Sequence, residues 1–171
     1  TIKDLKIAIG TTTLTSTDIT LTDLYQINNA GITINGSNLY VNGNIIMLSS
    51  NTGFDGTTTI NYTGTGSWTS GLSFIKNNFI INTAGTLTIS GNVYYGTRTL
   101  TYTTGAVVSS GGTLNLIANC TLNTSGMTWD TINVNAAFIV TINSTLSANT
   151  LILRNGACSF VGTAGFNVGT L

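Results

Sequence analysis

Three short runs decide the fold: Thr86-Leu87-Thr88-Ile89, Thr99-Leu100-Thr101-Tyr102 and Thr113-Leu114-Asn115-Leu116. Each alternates a polar residue with an apolar one, and the runs recur at intervals of 13 and 14 residues. In an extended chain successive side chains point to opposite faces. Leu and Ile therefore turn to a core while Thr and Asn turn to solvent. Thr suits this outer position because its β-branched side chain is at home in a strand. The same alternation runs through residues 13–15, 19–22, 32–35, 39–42, 59–61, 79–82, 131–134, 140–143 and 150–153. Helical spacing is almost absent, and only residues 21–27 could close a helical turn.

The strands end on residues that tolerate a left-handed backbone, as in Asn35-Gly36, Asn42-Gly43, Gly91-Asn92 and Asn155-Gly156. Asn-Gly is also a hairpin signal, so a β-sandwich or jelly roll is the alternative architecture. Self-similarity over distance favours a solenoid instead. Gly85-Thr86-Leu87, Gly112-Thr113-Leu114 and Gly169-Thr170-Leu171 open on the same tripeptide. Residues 113–116 followed by Cys120-Thr121-Leu122 echo residues 150–153 followed by Cys158-Ser159-Phe160, at offsets of 37 and 38. That offset suits one large coil or two small ones. The expected fold is all-β, a parallel β-solenoid or β-helix, with like residues stacked about 4.8 Å apart.

The Gly- and Thr-rich stretch Thr63-Gly64-Thr65-Gly66-Ser67 is the best candidate boundary. It divides an N-terminal capping β region, residues 1–62, from a repetitive solenoid, residues 63–171. Lys3, Asp4, Lys6 and Asp18 gather in the first part, as a polar cap requires. The chain stops on Gly169-Thr170-Leu171, the tripeptide that opens strands elsewhere, and the solenoid is therefore expected to continue in a longer chain.

Composition removes several classes of function. Charged residues make up 6% of the chain, against about a quarter in an average domain. Hydrophobic residues reach 42% and are spread throughout, which excludes disorder. No apolar run approaches the roughly 18 residues of a membrane helix. A membrane β-barrel is disfavoured as well, because the aromatics form no paired girdles and Thr and Asn fill positions that would face lipid. No membrane insertion is expected. Five basic residues scattered over a chain of zero net charge form no phosphate-binding stripe, so no nucleic-acid partner is expected.

Catalytic machinery is equally sparse. The chain has no His, which removes Ser-His-Asp and Cys-His arrangements and His-containing zinc sites. It has no Gly-Lys-Ser/Thr phosphate loop. A non-enzymatic protein without cofactor or metal is expected. Glycoside cleavage needs two facing carboxylates, and the only acids are Asp4, Asp18, Asp23, Asp55 and Asp130. Asp18 and Asp23 bracket residues 19–22 and are placed at opposite strand ends. A calcium site at Asp55 has no supporting ligand spacing. Asp130 beside Trp129 could form a sugar subsite, or be a surface Asp next to a Trp packed in the core or between subunits. Trp68, Trp129 and Asp130 are the candidate glycan or intersubunit contacts. Cys120 and Cys158 are candidates for a disulfide if their coils are neighbours, and otherwise for inward, stacked thiols.

With its Gly-Thr-Leu openings and Thr/Asn/Gly-rich alternation, the stretch from Thr83 to Leu171 resembles the repetitive β-helical regions of phage tail fibres and spikes and of large bacterial adhesins. The run Met127-Thr128-Trp129-Asp130-Thr131-Ile132-Asn133-Val134 is similar to a Trp-containing strand of such repeats. The resemblance implies a rigid virion or extracellular appendage, often trimeric, that spaces or displays a receptor-binding tip. A structural protein of a virion appendage is the first expectation, self-associating, trimer favoured, with other virion or surface proteins and a cell-surface glycan as partners. A bacterial surface adhesin or extracellular filament subunit is the alternative. A polysaccharide depolymerase is a minor reading. Ice binding is another, from the Thr-x-Thr pairs at residues 20–22, 86–88 and 99–101, whose spacing drifts along the sequence.

Overall fold

A computed structural model of the chain describes residues 2–7, 10–14, 18–26, 32–154 and 158–171. The described residues form strands joined by short turns, with no helix among them. The strands are β1 (Ile2–Ile7), β2 (Gly10–Leu14), β3 (Ile19–Gln26), β4 (Ile32–Gly36), β5 (Leu39–Val41) and β6 (Ile45–Asp55). They continue as β7 (Thr59–Tyr62), β8 (Gly66–Ile75), β9 (Asn78–Ile89), β10 (Gly91–Tyr95), β11 (Thr99–Val108) and β12 (Gly112–Leu116). The last are β13 (Cys120–Asn123), β14 (Thr128–Val134), β15 (Ile139–Ile142), β16 (Leu146–Leu153), β17 (Ser159–Gly162) and β18 (Phe166–Thr170). Every described pairing is parallel, and the chain winds as a β-solenoid of about seven turns.

Each turn lays strand segments on three faces. On the first face Ile19, Leu39, Ile60, Phe79, Leu100, Leu122 and Ile142 stack in one continuous inward column through β3, β5, β7, β9, β11, β13 and β15. On the second face Leu24, Ile45, Trp68 and Ile89 stack, and further along Trp129, Ala148 and Val168 do so. The third face carries Phe54, Ile75, Tyr95, Leu116, Val134 and Leu153. These columns are the hydrophobic core, and most of their members are fully buried. Apolar ladders stack well because each rung buries the flank of the next, while the backbone hydrogen bonds run along the axis.

Long strands turn the corners by bulging. The β6–β8 register slips between Met47 and Ser50 and again between Ser50 and Gly53. The β9–β11 register slips between Tyr102 and Thr104 and between Thr104 and Ala106. Bulges absorb extra residues and bend the strand, so turns of unequal length still stack in register. Side chains bolt the corners. The Asn44 amide N–H donates to Asp23 Oδ1, and the Ser67 N–H donates to Asn44 Oδ1 at 3.0 Å. Asn77 Nδ2 donates to the Thr58 carbonyl at 3.0 Å, and the Tyr95 hydroxyl donates to the Asn77 carbonyl at 3.0 Å. Two glycines are required by geometry. A Cβ on Gly64 would lie 1.7 Å from the Asn42 carbonyl oxygen, and Gly56 has φ 113° at the turn after β6.

The structure revises several sequence expectations. Leu21 to Gln26 continue β3 as a strand rather than turning helically, and Ile27 lies outside the described residues. The Asn155-Gly156 strand end also lies outside them. Across Thr63 the stack is continuous, with β6 paired to β8 and β7 to β9. The offset of 37 spans two small coils, because Thr113 pairs with Thr131 and Thr131 with Thr150. At the C-terminal coil, Leu151, Leu153, Phe160, Phe166, Val168 and Leu171 line an apolar groove of about 450 Å³.

Candidate functional surface

The two indoles lie inside the solenoid. Trp68 and Trp129 are both fully buried, and Trp68 packs edge-on against Phe79 with ring centroids 5.0 Å apart. Neither ring offers a face to a glycan. Among the described residues their indole N–H groups have no hydrogen-bond partner, nor does the buried Tyr62 hydroxyl. Alternation explains why Trp129 and Asp130 cannot form one subsite. Neighbours in a strand face opposite sides, so the indole goes in and the carboxylate goes out.

Asp130 is a corner bolt across three successive coils. Its Oδ2 accepts from the Gly111 N–H at 2.7 Å, and its Oδ1 accepts from Asn149 Nδ2 at 3.0 Å. Its own N–H donates to Ser109 Oγ at 2.9 Å. The other described carboxylates are similarly engaged. Asp18 accepts from Asn38 Nδ2 at 3.0 Å and from the Tyr40 hydroxyl at 3.2 Å. Asp23 lies within β3, where the strand passes from the first face to the second, and not beyond a strand end as expected. It accepts from the Tyr25 hydroxyl at 3.1 Å as well as from Asn44. Asp55 accepts from the Gly56 N–H at 2.6 Å. Among the described residues no group of three His, Cys, Asp or Glu side chains could hold a metal ion.

The cysteines are apart. Cys120 stacks on Val140, which stacks on Phe160, so the turn that carries Cys158 is two rungs from that of Cys120. Rungs lie about 4.8 Å apart, which puts the two thiols beyond the reach of a disulfide and of direct stacking. Both are free. Burial pushes the Cys120 thiol up to about 12, which keeps it protonated and inert at neutral pH. Burial, with a smaller contribution from the Asp23 charge, also pushes the Tyr62 hydroxyl up to about 12. Burial raises Tyr95 as well.

The organised feature of the surface is a set of polar ladders. On the outside of the third face Asn92, Thr113, Thr131, Thr150 and Thr170 stand in one column. Beside it Asn133 Nδ2 donates to Asn115 Oδ1 at 2.8 Å and Asn115 Nδ2 to Asn92 Oδ1 at 3.1 Å, an amide chain that ends on the buried, unpartnered Asn133 Oδ1. On the outside of the first face Thr99, Thr121 and Thr141 form a column, preceded by Thr59 and Asn78. The parallel column holds Asn61, Ile80, Thr101 and Asn123. The Thr-x-Thr pairs picked out in the sequence do not all share a face, although Thr20 stands in the column of Thr101. Residues 99–101 lie on the first and residues 86–88 on the second. Sequence spacing could not reveal these ladders because the corners vary in length. Comparison with protein-family models, with curated proteins and with solved structures finds no match.

Proposed function

We propose that this chain is a rigid, non-enzymatic structural segment of an extracellular appendage, and specifically of a virion tail fibre or spike. The observation that carries the reading is the unbroken stack: about seven turns in parallel register, with apolar columns through the centre. Such a stack resists bending and extension because every turn is hydrogen-bonded to the next along the axis. The Asp18, Asp23 and Asp130 carboxylates serve as acceptors that tie turns together, which supports a mechanical role over glycoside cleavage. The scarcity of charge lets copies lie side by side without repulsion, so self-association, as a trimer by preference, belongs to the proposal.

A cryo-EM map of the intact assembly that contains this chain tests it. A three-fold bundle attached to a particle is the expected result. A subunit repeating helically along a cell-surface filament overturns the virion reading in favour of an adhesin or filament subunit. Release of oligosaccharides from bacterial capsule by the purified protein overturns the non-enzymatic one.

A further inference from the structure

We infer that the first face of the solenoid, around β11, β13 and β15, binds the surface of ice. Thr99, Thr121 and Thr141 form one outward column, Thr101 and Asn123 pair beside it after the buried Leu100 and Leu122, and Asn143 follows Ile142 just past the end of β15. Their register runs without a slip, because the sequence drift is taken up at the corners. The outcome is a two-column lattice set by the backbone, about 4.8 Å between rungs and about 6.6 Å between alternate residues along a strand.

Three properties of this lattice select its ligand. It carries no charge and no aromatic ring at these six positions, so an ionic polymer or a stacked sugar gains little from it. It lies on one face of a parallel sheet, beside a shallow hollow that Thr121 and Thr141 help to line, and its repeat calls for a ligand that is itself periodic. Its polar groups are also uncommitted. The third-face asparagines bond to one another. On the first face the Thr99, Thr101, Thr121 and Thr141 hydroxyls and the Asn143 amide hydrogen-bond to no other described residue. Ordered water at these two spacings, close to the oxygen repeats of hexagonal ice, would satisfy the hydroxyls of the Thr99, Thr121 and Thr141 column together. Thr γ-methyl groups would occupy the lattice hollows between. Thr is stiff at χ1, so the array is preorganised and loses little freedom on docking.

The experiment is growth of a single ice crystal in a solution of the chain, with the thermal-hysteresis gap and crystal shape as readouts. The expected result is a measurable gap and faceted crystals. Thr121→Tyr and Thr141→Tyr, which raise a bulky ring from the lattice, should abolish both while leaving the thermal unfolding midpoint in place. Thr131→Tyr, on the third face, should leave the gap intact. Absence of hysteresis in the unaltered chain overturns the inference. So does equal loss in Thr131→Tyr, retention of the gap in both first-face variants, or adsorption to crystalline cellulose or chitin in place of ice. The readout is independent of whether the assembly is a virion fibre, so failure of either reading leaves the other standing.

Discussion

At the scale of single residues, interior positions hold the stability and corner positions hold the shape. Trp129 fills the core over Ala148, and truncation opens a cavity that neighbouring rungs cannot close. Trp129→Ala should cost about 3–5 kcal/mol, measured as a lowered urea midpoint at constant slope. Alkaline pH should act on Cys120 first. Its folded-state pKa of about 12 stands above the ordinary value of 9.0, so its contribution is complete below pH 9 and is lost as pH rises toward about 12. Tyr62 follows from its ordinary value of 10.0. Cys120 removes about 1.4 kcal/mol per pH unit within its window, and Tyr62, less deeply desolvated, adds a smaller loss. Cys120→Ala should therefore move the onset of the decline from near pH 9 to near pH 10, read from urea midpoints across a pH series. A core-packed Trp129 was one of the readings the sequence left open, because the immediate neighbours of Trp129 and of Trp68 are polar and fit either parity. That they face inward rather than toward a glycan depended on which parity of the strand met the core.

At the scale of the strand, alternation makes a sharp contrast between adjacent residues. Leu122 lies in the inward column between Leu100 and Ile142, whereas Thr121 stands outside between Thr99 and Thr141. Leu122→Ala should cost about 2–5 kcal/mol. Thr121→Ala should stay within about 0.5 kcal/mol. Equal effects in denaturant unfolding would mean that the strand parity is wrong. The strands were legible because a period of two is a local property of a few residues. The β6 and β9 corners were not, since their bulges are forced by neighbouring turns of different length.

At the scale of the whole molecule, stability is a sum over turns and their interfaces. One consequence is tolerance to removal of a complete turn. Cys120 pairs with Val140, so deletion of residues 120–139 places Val140 on the rung that Cys120 leaves and restores every column. The shortened chain should keep its strand signature in circular dichroism and unfold cooperatively at a lower midpoint. Deletion of residues 120–130 cuts a turn in half, sets Ile132 in the solvent-facing place of Thr121, and should leave no cooperative transition. Identical behaviour of the two deletions would refute the stacked-turn account.

The sequence by itself determined the strands, their inward and outward residues, and the poverty of catalytic groups, because all three are properties of composition or of residues two apart. Only the tertiary structure decided which strands stack. The three runs that first point to a solenoid fall on three different faces: Leu87 on the second, Leu100 on the first and Leu114 on the third. Their intervals of 13 and 14 therefore measure steps around the coil and not its pitch. The pitch itself varies, with Leu100 meeting Leu122 and Leu122 meeting Ile142. Pairing between rungs is non-local, and it is decided by burying one apolar column against the next while corners of differing length take up the remainder.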